Sequence, residues 1–175
     1  TDGQLPIGLE DHPVVYVDLE DMRAYAKWAG KRLPTEEEWQ HAAQGFEERL
    51  YPWGNTFAFG LCNGGSSGGT TPVTAFPEGR SPFGCYDMCG NVWEWTSTSG
   101  DTDGSYFVRG GTWGSPAREL LSSTTRSVNG ASQRPGIGFR CARDGNSAPP
   151  ARSDAAEDVG DVAAWRHPVK AVFAD

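Results

Sequence analysis

The chain has 175 residues, of which 37% are hydrophobic and 22% charged, which is enough to bury one core of ordinary domain size. Its net charge of −8, with no basic stripe, excludes a protein that binds nucleic acid through the phosphate backbone. The sequence has no apolar run of membrane-spanning length and no signal-peptide pattern, so it predicts a soluble protein without a membrane partner. It indicates neither a compartment nor an oligomeric state.

Two short helices are predicted in the first third of the chain. A β-branched and aromatic run, HPVVYV at 12–17, predicts a strand before them. Asp18 is the predicted N-cap of the first helix, which Gly30 ends. Thr35 and Glu38 form a capping box, which predicts that a second helix begins there.

Short strands are predicted for the middle of the chain. From 51 to 143, Gly, Pro, Ser, Thr and Asn recur so often that only short strands fit between turns. The best candidates are YFVRG at 106–110 and IGFRCA at 137–142. We also expect Trp93 and Trp95, which alternate with other residues, to lie on opposite faces. The sequence therefore predicts a loop-rich α+β fold.

The sequence divides into an irregular lead-in (1–10), a domain (11–143) and a tail (144–175). The tail is acidic and rich in Ala and Pro. Such a segment buries too little apolar area to offset the entropy cost of its own ordering. We therefore predict that the tail is flexible.

Four cysteines form a set too sparse for the framework of a disulfide-rich secreted domain. The Cys-x3-Cys spacing is one residue too long for a thioredoxin-type motif, and no Cys-x2-Cys pair indicates a zinc ribbon. These cysteines are predicted to be structural or free thiols. They are Cys62, Cys85, Cys89 and Cys141.

Eight segments follow one another between residues 11 and 143: HPVVYV, AYAKWAGKRLPTEEEWQHAA, YPWGN, CN, TTPVTAFP, FGCYDMCGNVWEW, FVRGGTW and GFRCAR. In this order they resemble the domain of formylglycine-generating enzymes, also called sulfatase-modifying factors. The resemblance implies a C-type-lectin-like α+β fold with two short helices, short twisted strands and long loops. Because only ten residues precede the first segment, we expect a shortened form or a fragment of a longer protein.

The resemblance also implies a calcium ion, bound where the chain turns before a tryptophan pair. Its ligands would be Asp87, Gly90, Val92 and Glu94. Two carboxylates and two carbonyls supply much of the oxygen shell that calcium requires. From the residues alone, the alternative is that Asp87 caps a turn and Glu94 pairs with an arginine such as Arg109 or Arg140.

A second calcium loop is implied at Asn63 and Gly64. The segment that follows, from Asn63 to Gly69, is NGGSSGG and contains no carboxylate. Amide, hydroxyl and carbonyl oxygens alone predict weak calcium affinity at this loop.

Formylglycine-generating enzymes hold copper with two cysteines, five residues apart, just after an RGG motif. The resemblance places these two positions on Ser115 and Leu120. A hydroxyl is a hard, protonated donor and leucine has no donor, so we expect neither copper nor oxidase catalysis. The resemblance also implies a ligand groove near these positions. Its lining would be Trp93, Thr112, Trp113 and Ser115.

The favoured hypothesis is therefore a calcium-stabilised binding or accessory module that takes a peptide or small molecule in a surface groove. A second hypothesis is the C-terminal part of an oxidoreductase, similar to ergothioneine-type sulfoxide synthases, whose metal lies in another domain. A third is the variable ligand-binding protein of a diversity-generating retroelement, in which residues 112–136 would vary.

Overall fold

The computed structural model describes residues 7–145 as two helices and one four-stranded sheet, joined by long loops. The helices and strands are α1 (Leu19–Trp28), α2 (Glu36–Gln44), β1 (Trp93–Ser99), β2 (Ser105–Arg109), β3 (Thr125–Asn129) and β4 (Ile137–Phe139). Three short 3-10 helices lie in the loops at Phe59–Leu61, Pro77–Gly79 and Ala117–Glu119. This arrangement confirms the predicted loop-rich α+β fold with two early helices.

Both helices begin where the capping pattern predicted. Asp18 accepts hydrogen bonds from the backbone N–H groups of Glu20 and Asp21, and the Asp21 carboxylate accepts one from the N–H of Asp18. The Thr35 hydroxyl accepts from the N–H of Glu38, whose carboxylate accepts from the N–H of Thr35 at 2.8 Å. These reciprocal bonds satisfy donors that a helix N-terminus otherwise leaves unpaired.

The sheet has the strand order β3-β2-β1-β4. β1 pairs with β2 antiparallel and with β4 parallel, and Glu94 lies opposite both Arg109 and Gly138. Because β1 and β2 are antiparallel, the chain that enters β1 lies beside the chain that leaves β2. This topology brings the segment around residue 90 next to the segment around residue 112.

The main core lies between the sheet and α1. It consists of Val17, Leu19, Met22, Leu33, Trp93, Trp95, Val108, Val128 and Ile137. The prediction that Trp93 and Trp95 lie on opposite faces is wrong, because both rings are buried in this one cluster. Residues two apart on a strand point to the same side of the sheet, so the pair contributes its area to a single core.

The predicted strand at 12–17 is also wrong. The segment forms no ladder; it runs beside the sheet, and the N–H of Tyr16 donates to the carbonyl of Arg134 at 3.1 Å. Tyr16 has a φ of 61°, a left-handed conformation that interrupts any strand. The carbonyl of Val14 packs so close to Gly138 that a Cβ there would collide with it.

The sequence did not predict β1 and β3, which have polar residues at several buried and edge positions. Residues 1–6 of the lead-in and residues 146–175 of the predicted tail lie outside the described residues. At the boundary, Arg32 forms an ion pair with Asp144 at 2.7 Å. Within 7–145, no helix combines the length and the apolar character that crossing a membrane requires.

Candidate functional site

Three irregular segments meet at the end of the sheet where β1 begins and β2 ends. The N–H of Asn91 donates to the carbonyl of Asn63 at 2.8 Å, and the N–H of Trp113 donates to the carbonyl of Asn91 at 3.0 Å. The N–H of Ser66 closes the set by donating to the carbonyl of Trp113 at 2.8 Å. The segments are loop 62–71, turn 87–92 and loop 112–115. They carry most of the site residues that the sequence predicted.

Asn91 is the hub of this site, and the sequence reasoning missed it. Its side chain is 1% exposed, and its amide nitrogen donates to the Thr71 carbonyl at 3.1 Å and to Asp87 Oδ2 at 3.2 Å. Its amide oxygen accepts from the N–H of Thr71 at 3.0 Å and from Asn63 Nδ2 at 3.2 Å. Asn91 has a φ of 63°, which asparagine tolerates better than most residues. One side chain therefore links turn 87–92 to loop 62–71.

Asp87 carries a buried carboxylate that is incompletely paired. Its Oδ2 accepts from Asn91, but its buried Oδ1 has no hydrogen-bond partner among the described residues. Burial raises the pKa of Asp87 to about 7, opposed by the Asn91 hydrogen bond and the charge of Arg140, while the charge of Glu94 raises it further. An ionised Asp87 is thus short of positive charge, which is the environment that a cation would complete.

Glu94 is 5% exposed and already has strong partners. Arg140 donates to both of its oxygens, with Nη2 to Oε1 at 2.7 Å, and Trp39 Nε1 donates to Oε2 at 2.7 Å. The predicted arginine partner is therefore Arg140, whereas Arg109 pairs with Glu36 at 2.6 Å. Burial acts to lower the pKa of Arg140, but the charge and hydrogen bond of Glu94 raise it above its ordinary value.

The four predicted calcium ligands lie within turn 87–92 and the start of β1. Among their carboxylate oxygens, Oδ1 of Asp87 has no hydrogen-bond partner in the described part of the chain, whereas both oxygens of Glu94 are already paired. In the part of the chain that the structure describes, no three His, Cys, Asp or Glu side chains form a metal-binding group. A cation here would therefore depend on Asp87 Oδ1 and on backbone carbonyls, with Glu94 shared between the cation and Arg140.

The residues of the second predicted calcium loop already serve as structural contacts. The amide oxygen of Asn63 accepts from the hydroxyl of Ser67, and its backbone carbonyl accepts from the N–H of Asn91. A Cβ on Gly64 would collide with Cδ1 of Leu120, so a larger residue there would require this buried side chain to shift. A cation at this loop would have to replace these existing hydrogen bonds.

The two positions that the resemblance assigns to copper cysteines meet at Gly111. A Cβ on Gly111 would lie 2.6 Å from Leu120 Cδ2 and 3.5 Å from Ser115 Cβ. Leu120 is fully buried, and the Ser115 hydroxyl accepts from the N–H of Thr112 at 3.2 Å and donates to Glu119 at 3.4 Å. The side chains at the two positions are therefore a hydrocarbon and a neutral, hydrogen-bonded hydroxyl, and neither binds a soft monovalent metal well.

The cysteines are all free thiols, but two of them lie together. Cys62 and Cys89 share a buried cluster with Tyr51 and Leu120, and the Cys89 thiol donates to the Leu120 carbonyl at 3.3 Å. The contact with Cys89 lowers the pKa of Cys62, whereas the same contact and burial raise the pKa of Cys89. Their sequence separation concealed this proximity.

The predicted groove residues differ in accessibility. Trp93 is 4% exposed, and the guanidinium of Arg126 lies 4.9 Å from its ring centroid, so a ligand would have to displace Arg126 to reach the ring. Ser115 is buried, whereas Thr112 and Trp113 are half-buried and present some surface. A cavity of about 300 Å³ lies elsewhere, and its lining includes Arg23 and none of these four residues. The accessible part of the predicted groove is therefore Thr112 and Trp113.

The sulfatase-modifying factor enzyme 1-like domain matches the chain over residues 4–145. The Bos taurus protein named inactive C-alpha-formylglycine-generating enzyme 2 is 40% identical over 161 residues, which are 80% of this chain and 52% of that protein. The Bos taurus formylglycine-generating enzyme is 45% identical over 103 residues, 50% of this chain and 27% of that enzyme. The chain thus spans about half the length, or less, of these curated relatives.

Among solved structures, Treponema denticola variable protein 1 has a TM-score of 0.68 at 19% identity, over 79% of this chain and 74% of that one. At this identity the likeness concerns the fold alone, and it confirms the C-type-lectin-like architecture that the resemblance implied. The match over 4–145 includes all three segments of the site. The chain therefore belongs to the sulfatase-modifying factor enzyme 1-like family, the family of the formylglycine-generating enzymes.

Proposed function

We propose that this chain is a non-catalytic formylglycine-generating-enzyme-like module that binds a peptide or small molecule through loop 112–115. The observation that carries the proposal is the pair Ser115 and Leu120, which meet at Gly111 in the place of the expected copper thiolates. The side chains at these two positions, a buried leucine and a hydrogen-bonded serine, offer no thiolate to Cu(I), and the neighbouring thiols of Cys62 and Cys89 are buried. The naming of the bovine relative as inactive supports the same conclusion.

The test of inactivity is to incubate the chain with copper and a Cys-x-Pro-x-Arg peptide and to follow the peptide thiol by mass. We expect no conversion by the chain as it stands. The matched variant is Ser115→Cys/Leu120→Cys, which should acquire Cu(I) binding at this place because it restores the pair of thiolates. Turnover by the unaltered chain would contradict the proposal.

Ligand binding is tested with the same peptide and a Ser-x-Pro-x-Arg counterpart, by fluorescence anisotropy of a labelled peptide. Trp113→Ala should weaken binding of either peptide, because Trp113 supplies the aromatic surface of the accessible groove. Trp28→Ala is the control, since Trp28 is exposed on α1 and lies outside the groove. Equal binding by both variants would exclude loop 112–115 as the binding surface.

Calcium is the proposed cofactor, with Asp87 as the main side-chain ligand beside Glu94 and the carbonyls of Gly90 and Val92. The unpartnered, buried Oδ1 of Asp87 supports this proposal. Calcium at 100 times its Kd should stabilise the chain by about 2.7 kcal/mol, a rise in Tm of about 8 °C. Asp87→Asn should abolish the difference between calcium and chelator. An unchanged midpoint in the unaltered chain would exclude the metal.

The two other hypotheses from the sequence stay predictions. A metal in another domain, as in sulfoxide synthases, concerns residues beyond this chain. The likeness to a Treponema variable protein concerns the fold, and at 19% identity it does not extend to ligand display by residues 112–136. The favoured proposal is preferred because it depends on particular residues of this chain, Ser115 and Leu120.

A further inference from the structure

Loop 62–71 and turn 87–92 form a parallel backbone contact that brings two cysteines into register. Asn63 and Gly90 form a parallel β-bridge, and the N–H of Asn91 donates to the carbonyl of Asn63 at 2.8 Å. The two backbones approach so closely that a Cβ on Gly90 would collide with the Asn63 carbonyl. Cys62 and Cys89 each precede a bridged residue by one position. They are therefore neighbours across the bridge.

The side chains of this pair point to the same side. Residues that precede the two bridged positions lie on the face opposite to the bridged side chains, and here that face is the buried cluster with Tyr51 and Leu120. Adjacent parallel strands lie about 4.8 Å apart, which falls within the Cα separation that a disulfide spans, about 4.4–6.8 Å. Cys62 is 4% exposed and Cys89 is 1% exposed, so the pair meets within the protein interior.

The other two cysteines lack this arrangement. Cys85 packs at the edge of a different cluster, beside Trp39 and Met88. Cys141 precedes Ala142, which bridges to Arg32, and burial raises the pKa of its thiol to about 11. They serve as internal controls for cysteine reactivity.

We infer that Cys62 and Cys89 are a redox pair that closes to an intramolecular disulfide when a low-molecular-weight disulfide is the oxidant. One cysteine thiolate attacks a sulfur of oxidised glutathione, forms a mixed disulfide and releases one glutathione thiolate. The second cysteine thiolate then attacks the protein sulfur of that mixed disulfide and releases the second glutathione. Two electrons pass to glutathione, and the two protons that leave the cysteine thiols are taken up by the two glutathione thiolates.

The bond would fasten together the two loops that carry the candidate cation ligands. It would close a loop of about 28 residues, from Cys62 to Cys89, and so reduce the entropy of the unfolded chain. For a domain of this size, the expected rise in Tm is about 10 °C. The redox state of the pair would thus set how readily loop 62–71 separates from turn 87–92. This inference does not depend on the proposed function.

The test is to incubate the reduced, native chain with oxidised glutathione, then unfold it and alkylate it without reduction, and map the peptides by mass. We expect one cross-linked peptide pair containing Cys62 and Cys89, lighter by two hydrogen atoms than the two reduced peptides. The variant Cys85→Ser/Cys141→Ser should give the same cross-link and the same rise in Tm. Cys89→Ala should instead retain glutathione at Cys62, because the resolving thiol is gone.

Three results would overturn the inference. One is that both Cys62 and Cys89 remain alkylatable after the native chain is exposed to oxidised glutathione. Another is a stable glutathione adduct on Cys62 or Cys89 in the unaltered chain, since it would mean that the second thiol cannot reach the first. The last is a cross-link that disappears in Cys85→Ser/Cys141→Ser while its circular dichroism matches that of the unaltered chain.

Discussion

The two halves of this molecule are stabilised by different interactions. The helix–sheet core buries large apolar side chains from regular elements, and Trp95 at its centre is fully buried. The region of loop 62–71, turn 87–92 and loop 112–115 depends instead on side-chain amides and on left-handed residues, with φ of 54° at Asp87 and 63° at Asn91. An apolar core tolerates substitutions that conserve its volume, whereas a buried polar network depends on every member being paired. The loop region should therefore respond to subtle polar substitutions that the core would tolerate.

The largest expected effect is in the core. Trp95→Ala removes a fully buried ring and should lower the free energy of unfolding by about 4 kcal/mol, measured by urea denaturation. Trp95→Phe is the control, because among the described residues the indole nitrogen of Trp95 has no hydrogen-bond partner to lose. Trp95→Phe should therefore cost much less than Trp95→Ala. Equal losses would mean that the complete shape of the indole ring, and not the amount of buried area, holds this core together.

The next effect is a pH dependence that belongs to the loop region. The pKa of Asp87 is about 7 in the folded chain and near 3.8 when unfolded, so the folded state holds a proton that the unfolded state releases. The calcium-free chain should therefore lose stability as pH rises from about 4 to about 7, by about 4 kcal/mol in total. Asp87→Asn should remove this loss, since asparagine tolerates the left-handed φ and does not titrate. Urea denaturation in the presence of chelator, at pH 5 and at pH 8, measures this change in the free energy of unfolding.

The control for that experiment is Asp101→Asn, because Asp101 is exposed on the loop between β1 and β2. Its pH profile should follow that of the unaltered chain. If Asp87→Asn and the unaltered chain also have parallel profiles, then the buried carboxylate is not the source of the pH dependence. The loop region would then lack the electrostatic sensitivity that distinguishes it from the core.

A third effect tests the ion pair at the boundary between the two regions. Arg140→Met leaves Glu94 nearly buried with Trp39 as its remaining partner, and should cost about 3 kcal/mol. The double variant Glu94→Gln/Arg140→Met should recover much of this loss, because the unpaired charge is gone. Urea denaturation of both variants measures the two free energies of unfolding. If the double variant is as unstable as the single one, the loss comes from packing and not from an uncompensated charge.

The sequence predicted the two regions unequally, for a physical reason. The caps at Asp18 and Thr35 are local, because each is complete within four residues, and both were found as predicted. The eight motifs correctly identified the family and its fold. Asn91 and Cys62 gain their roles from partners that lie 20 or more positions away, and no local pattern marks them. The site residues were therefore predicted from resemblance, and of the interactions that hold them only the pairing of Glu94 with Arg140 was among the alternatives that the sequence offered.

The smallest effect decides whether the two regions are separate units. Asn91→Ala removes the amide that pairs with Thr71, Asn63 and Asp87 and puts alanine, which tolerates a left-handed φ less well than asparagine, at this position, for a loss of about 2 kcal/mol. Asn91→Gly loses the same hydrogen bonds without the backbone strain, so it should be the more stable of the two by about 1 kcal/mol. Urea denaturation measures this difference.

Hydrogen exchange on the same variants locates the loss. In Asn91→Ala, the amides of Thr71 and Trp113 should exchange faster, because the first donates to the side-chain oxygen of Asn91 and the second to its backbone carbonyl. The amides of β1 and β2 should keep their protection. This pattern is expected if the loop region opens without unfolding the sheet. Faster exchange throughout β1 and β2 would mean that the amide network and the apolar core unfold as one cooperative unit. In that case the hydrogen bonds of Asn91 stabilise the whole domain, and the two regions differ in the residues that compose them but do not unfold separately.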